Sequence, residues 1–267
     1  MSEQSGSTPE PSDGVMVEQA DGRTTITLAR PELLNSIDDH MVAALHVALD
    51  GCADARVVVV RGSGRGFCAG RDLSNAKPLE EDARAILAEL FNPLIARWRS
   101  LPMPTIAAVH GPALGVGFGI AMACDIVVAA ERSRLGSPFA NIGCVLDSGG
   151  HAALVQRVGP HRALELIYTG RLLSGDEAAA MGLVNRVVAD DALDAAVDEL
   201  ATAIGAGPTA AFAASKRIVH AVADGSADFA AVRAAEAEAQ GELAGEPDYV
   251  EGISAFMEKR PATFVGR

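Results

Sequence analysis

The chain has 267 residues, 49% apolar but only 4% aromatic, with a formal net charge of −13 and a pI near 4.8. That acidic balance argues against a general nucleic-acid binder, which needs clustered Lys and Arg; a chain of this length buries about three quarters of its unfolded surface, here in a core of Ala, Val, Leu and Ile. Cys52, Cys68, Cys124 and Cys144 form no C-x-x-C pair and no metal-like pairing with the six histidines, so a reducing cytoplasm and no metal are expected.

Residues 1–13, rich in Ser, Glu, Pro and Gly without basic and apolar leader regions, read as a disordered tail. Residues 14–18 and 23–28 alternate like strands around Ala20-Asp21-Gly22, which predicts a hairpin ended by Pro31. Residues 38–50 carry apolar side chains at helical spacing, and 56–61, with four valines, read as a fully buried strand. A helix is expected over 82–100, a buried strand over 104–110, an apolar helix ending near Cys124 and a strand over 125–130. The uncharged run 105–124 has the length of a bilayer span, but Gly-Pro and three spaced glycines break it into a buried strand and a buried helix. From Ser174 onward the pattern is helical, over 175–181, 191–204, 208–223, 227–243 and 247–259. The resulting α/β organisation has a core over 14–200 and a helical region over 201–267.

Two glycine-rich turns stand out, Phe67-Cys68-Ala69-Gly70-Arg71-Asp72-Leu73 and Gly111-Pro112-Ala113-Leu114-Gly115-Val116-Gly117-Phe118-Gly119. Each follows an apolar strand-like run and opens a helix-like run, so an unpaired backbone N–H from each can point at one carbonyl oxygen where negative charge develops. Gly62-x-Gly64-x-Gly66 and Gly115-x-Gly117-x-Gly119 lack the spacing of a dinucleotide fingerprint, and no P-loop is present.

From about Val15 to the last residue, these segments resemble in order the crotonase superfamily, the enoyl-CoA hydratases and isomerases. The resemblance implies a spiral of ββα turns with a helical trimerisation region, an acyl-CoA thioester as substrate, and coenzyme A present only as part of that substrate. It assigns the two oxyanion-hole donors to the N–H groups of Arg71 and Val116, with Val116 in place of the usual Gly and its Cβ expected close to the thioester. It assigns CoA contacts to Leu33, Ala69, Gly70 and Asp72, and to Phe256 and Lys259 reaching the CoA of a neighbouring subunit in a homotrimer or dimer of trimers. Glu32 stands where a phosphate-binding Lys is common, so Arg30, Arg65 and Arg71 are the expected substitutes. No nucleic acid and no membrane enter this picture.

The two glutamates with which hydratases of the family activate water and protonate the α-carbon fall on Gly119 and Phe139. With both carboxylates gone, Asp147 is the catalytic candidate, in an Asp147-Ser148-Gly149-Gly150 stretch similar to that of the phenylacetate-pathway isomerases of the superfamily. One carboxylate suffices to move a proton between two carbons through a thioester enolate, and an apolar pocket of Phe139, Val145 and Leu146 is expected to raise its pKa. An Asp at the start of a helix is also a good N-cap with no chemical role, and His151 is a weaker candidate beside it. Trypsin-like chemistry is excluded by the α/β pattern and by the absence of Gly before Asp147. The reading is an enoyl-CoA isomerase; other acyl-CoA chemistry, including hydration and thioester hydrolysis, and a non-catalytic acyl-CoA carrier stand as alternatives.

Overall fold

In the computed structural model the described residues are 12–266. Positions 1–11 of the expected tail lie outside them, while Ser12 already pairs with Val15 through two backbone bonds of 3.0 Å.

The described residues form eight strands: β1 (Val15–Ala20), β2 (Arg23–Leu28), β3 (Val57–Gly62), β4 (Thr105–Val109), β5 (Pro112–Leu114), β6 (Ile126–Ala130), β7 (Arg134–Gly136) and β8 (Arg186–Val188). β1 and β2 form the expected hairpin, with Asp21 and Gly22 at φ +50° and +75°, the sign both central residues of a tight mirror-image turn require. β2, β3, β4, β6 and β8 continue in parallel, giving the order β1-β2-β3-β4-β6-β8, and β5 pairs with β7 in a separate two-stranded sheet.

Successive side chains of a strand face opposite ways, so a sheet covered on both faces needs apolar residues at every position. The valine run of β3 meets that demand. Val58 and Val60 face the larger core with Ala107, Val109, Val127 and Ala129, whereas Val57 and Val59 face a second core with Ile106, Ala108 and Val128.

The helices are α1 (Asp39–Asp50), α2 (Ala83–Ala85), α3 (Asn92–Ser100), α4 (Val116–Ala123), α5 (Gly150–Val158), α6 (Pro160–Thr169), α7 (Gly175–Ala180), α8 (Leu193–Gly205), α9 (Thr209–Ala223), α10 (Phe229–Leu243) and α11 (Pro247–Glu258). The helix expected over 82–100 is interrupted by a π turn at Ile86–Phe91 joining α2 to α3, with Asp82 accepting from the amides of Arg84 and Ala85 at its start. The run 105–124 is β4, β5 and α4, all eight α4 residues being buried. No helix among the described residues is long and apolar enough to cross a membrane. The boundary expected at residue 200 falls inside α8, whose Leu193, Val197 and Ala201 cover the second face of the sheet.

Candidate active site

The first turn is held by the loop after β2. In a parallel bridge between Ile37 and Arg71, the Ile37 amide donates to Gly70 O at 2.8 Å and the Asp72 amide to Ile37 O at 2.9 Å. Bonds made by the residues on either side of Arg71 turn the Arg71 N–H away from Ile37, and it has no protein acceptor among the described residues. Gly70 at φ +101° makes this bend possible.

The second turn ends at Gly115, which precedes α4 with φ +53° and no side-chain cap, leaving the Val116 N–H as one of the orphan donors of the helix start. The turns touch at their glycines. A Cβ on Gly70 would lie 3.1 Å from Leu114 O, and one on Gly115 would lie 3.7 Å from the Gly70 Cα and 3.3 Å from the Phe139 Cζ. The two donors therefore border one small space beside the Phe139 ring. Val116 itself is 4% exposed and belongs to the larger core. The Val116 side chain is accommodated by packing into that core, which leaves its N–H as the group available at the turn.

Asp147 opens a tight turn in which the Gly150 amide donates to Asp147 O at 2.8 Å. The N-cap of α5 is Gly149, without a side-chain cap bond, so the Asp147 carboxylate does not cap the helix. Its side-chain partner among the described residues is the Ser148 hydroxyl, which donates to Oδ1 at 2.8 Å. Burial pushes the Asp147 carboxyl above the ordinary carboxylate range, and the Ser148 bond and nearby His151 pull the other way. The expected pocket is corrected in part, since Val145 is 70% exposed while Leu146 is buried against Gly150. The residue missed is Ile95 of α3, whose Cδ1 faces Gly119 and whose Cγ2 faces Gly149. On a helix that also buries Leu94 and Trp98, Ile95 gives no sequence sign that distinguishes it from core.

Gly119, one turn along α4 from Val116, packs directly on the Asp147 segment. A Cβ there would lie 2.6 Å from both the Cβ and the O of Ser148 and 3.2 Å from Ile95 Cδ1. The space a side chain at 119 would use is thus filled by backbone of the Asp147 turn.

Leu33, 41% exposed, ends a short 3-10 turn at Pro31–Leu33. Ala69 N–H donates to Leu34 O at 2.9 Å, while the Ala69 carbonyl accepts nothing among the described residues and is free for a ligand donor. The expected phosphate cations fare differently. Arg30 donates to Ser36 O and pairs with Asp38 at 2.8 Å and Asp72 at 3.1 Å, and Arg71 pairs with Glu81 at 3.0 Å, so both are neutralised inside the protein. Of the three, exposed Arg65 alone has no ion-pair partner among the described residues. Asp72 is likewise occupied: hydrogen bonds from the Ser74 hydroxyl and amide, then Arg30, hold its carboxyl below the ordinary range.

Asn35, also missed from sequence, ties this region together. Fully buried at φ +57°, it accepts from the Arg30 amide at 2.9 Å and donates to Ser63 O at 2.9 Å and Gly66 O at 2.8 Å. Its signal was an Asn directly after a Pro-initiated turn, a residue type that tolerates the left-handed region. Asn35→Ala should cost about 3 kcal/mol, because it strands a buried amide and two carbonyls, read as a fall in the urea midpoint and a raised KM for any CoA thioester.

Phe256 is 84% exposed and Lys259 is the exposed left-handed cap of α11. Side-chain bonds there stay within the C-terminal segment, from Arg260 to Glu251 and Glu258 and from the Val265 and Gly266 amides to Asp248, and do not reach either turn.

The enoyl-CoA hydratase/isomerase family model matches residues 18–267. The chain belongs to that family. A Rhodobacter capsulatus protein named "Probable enoyl-CoA hydratase" is 38% identical over 257 residues, covering 95% of this chain and 98% of the relative. The 1,2-epoxyphenylacetyl-CoA isomerase of Escherichia coli is 34% identical over 253 residues, covering 92% and 96%. Among solved structures, an enoyl-CoA hydratase from Bacillus anthracis superposes with a TM-score of 0.88 at 30% identity, covering 95% of this chain and all of that one. The expected crotonase-like α/β fold is thereby established. This member of the enoyl-CoA hydratase/isomerase family has Gly119 and Phe139 at the positions expected to carry acid–base glutamates.

Proposed function

We propose that this chain is an enoyl-CoA isomerase in which Asp147 carries the proton. The carboxylate removes a proton from C2 of a 3-enoyl-CoA, the electron pair moves toward the thioester, and the Arg71 and Val116 N–H groups receive the charge on the carbonyl oxygen. Asp147 then returns the proton to C4 on the same face, so the double bond ends between C2 and C3 with no net change in atoms or charge. CoA enters only as part of the substrate, against Leu33, Ala69, Gly70 and Asp72.

The observation that carries this reading is the Asp147 carboxylate itself, desolvated and with no capping duty. Its turn lies against Gly119, three residues along α4 from Val116, which is about 4.5 Å of helix rise. Donor and turn thus lie within about one helical turn of each other along α4. Four free thiols, three of them buried, support a reducing cytoplasmic setting. Exposed Tyr249, Val250, Ile253, Phe256 and Met257 on α11 support burial of that helix in a homotrimer or dimer of trimers, where Phe256 and Lys259 would meet a neighbouring subunit's CoA.

Hydration is the second reading, favoured by the name of the Rhodobacter relative. It needs a base for water as well as an acid for C2, and Asp147 is a single group. The test is turnover of a panel of 3-enoyl-CoA and 2-enoyl-CoA thioesters, followed by the ultraviolet absorbance of the conjugated thioester. Gain of conjugation from 3-enoyl substrates is expected; robust loss of conjugation from 2-enoyl substrates would replace isomerisation by hydration.

A further inference from the structure

Ser148 sits where a residue with a side chain is costly. It has φ +51°, and with Gly149 at φ +76° it forms the two central positions of a mirror-image turn closed by Gly150 N–H to Asp147 O. Gly, Asn and Asp are the residues suited to such positions, and Ser is not among the favoured ones. Ser148 is nevertheless 3% exposed, with its Cβ and carbonyl against Gly119 and its hydroxyl 2.8 Å from Asp147 Oδ1. A strained residue kept inside a site points to a use for its side chain.

We propose that Ser148 is a positioning residue: its hydroxyl fixes Asp147 Oδ1 so that Oδ2 is left as the oxygen that exchanges the proton. This rests on the reading of Asp147 as the base. Oδ2 has no partner among the described residues, so the bond divides the carboxylate into one held and one free oxygen. A carboxylate free to rotate would present either oxygen, and a shuttle that must reach two carbons on one face depends on a fixed arc. The same bond stabilises the ionised form against the desolvation of the site, with His151 at the start of α5 as the other group acting in that direction.

The experiment measures kcat/KM against pH for a 3-enoyl-CoA thioester with the full chain as wild type, Ser148→Ala, Ser148→Gly and Asp147→Asn. Because the base must be ionised, activity falls as pH drops through the Asp147 pKa. Loss of the hydroxyl should move that acidic limb to higher pH by about one unit in both Ser148 variants, a tenfold loss of rate on the limb. Gly adopts the left-handed turn without strain, so Ser148→Gly remains informative if Ser148→Ala folds poorly. Were Ser148→Gly to keep the wild-type limb and rate, the hydroxyl would have no positioning role and the proposal would fall. Asp147→Asn with undiminished turnover would remove the reading beneath it, an outcome distinct from an unshifted limb with an inactive Asp147→Asn.

Discussion

Asp147→Asn should lower isomerase kcat/KM by about 10³-fold, the middle of the range for removing a general acid–base group, while leaving CoA-thioester binding near wild type. Asn keeps the shape and still accepts the Ser148 hydroxyl, so the loss isolates proton transfer. A second effect has the opposite sign. Burial raises the carboxyl pKa in the folded state, so folding favours the protonated form. The ionised group then costs stability once pH rises above the unfolded value, fully so above the folded one. Asn carries no such cost. Asp147→Asn should therefore melt higher than wild type at pH 7, with the difference closing below about pH 3, under the unfolded pKa, where both states are protonated. Asp147→Ala should also escape the loss of about 1 kcal/mol that deleting a helix cap produces. Retained turnover together with a lowered melting point in Asp147→Asn would make the residue structural.

Gly119→Glu should not convert the protein into a hydratase and should destabilise it by about 3 kcal/mol or more. The first carbon of any side chain at 119 would lie 2.6 Å from Ser148 Cβ and from Ser148 O, and that carbonyl belongs to the turn that carries Asp147. Relief would require lifting the turn away from α4 and with it the Asp147 carboxylate. The expected result is a melting point about 5–10 °C lower, no hydration of 2-enoyl substrates and reduced isomerisation. A Gly119→Glu protein that melts like wild type and hydrates crotonyl-CoA would mean that the Asp147 turn is readily displaced.

The long buried strands were legible because continuous valine and alanine runs have few other uses; β3 and β4 show this. The strands β5, β7 and β8 were not, since three residues carry no periodicity and owe their pairing to partners distant in sequence. The π turn at Ile86–Phe91 was hidden because one extra residue per turn barely disturbs an apolar pattern over eighteen positions. At the site, the two turns announced themselves by glycine spacing, whereas Asp147 could not be separated from a helix cap until Gly149 was seen to hold that position. Arg30 looked free from sequence because its partners, Asp38 and Asp72, lie 8 and 42 positions away and meet it only after folding.

Helix α4 has no residue facing solvent and has Val116, whose N–H is the proposed hole donor, at its first position. Every side chain from Val116 to Ala123 is hemmed in by close-packed neighbours, so the donor cannot swing and almost any exchange within the helix is paid for in the core. Mutational freedom lies instead in the loops laid across it, at Phe139 and at Asp147-Ser148. On the proposed reading the charge-stabilising N–H is a fixed part of the core, whereas positions 139 and 147 lie on loops that can be redrawn around it; position 119 lies on α4 itself, so a carboxylate there requires a different course of the Asp147 turn.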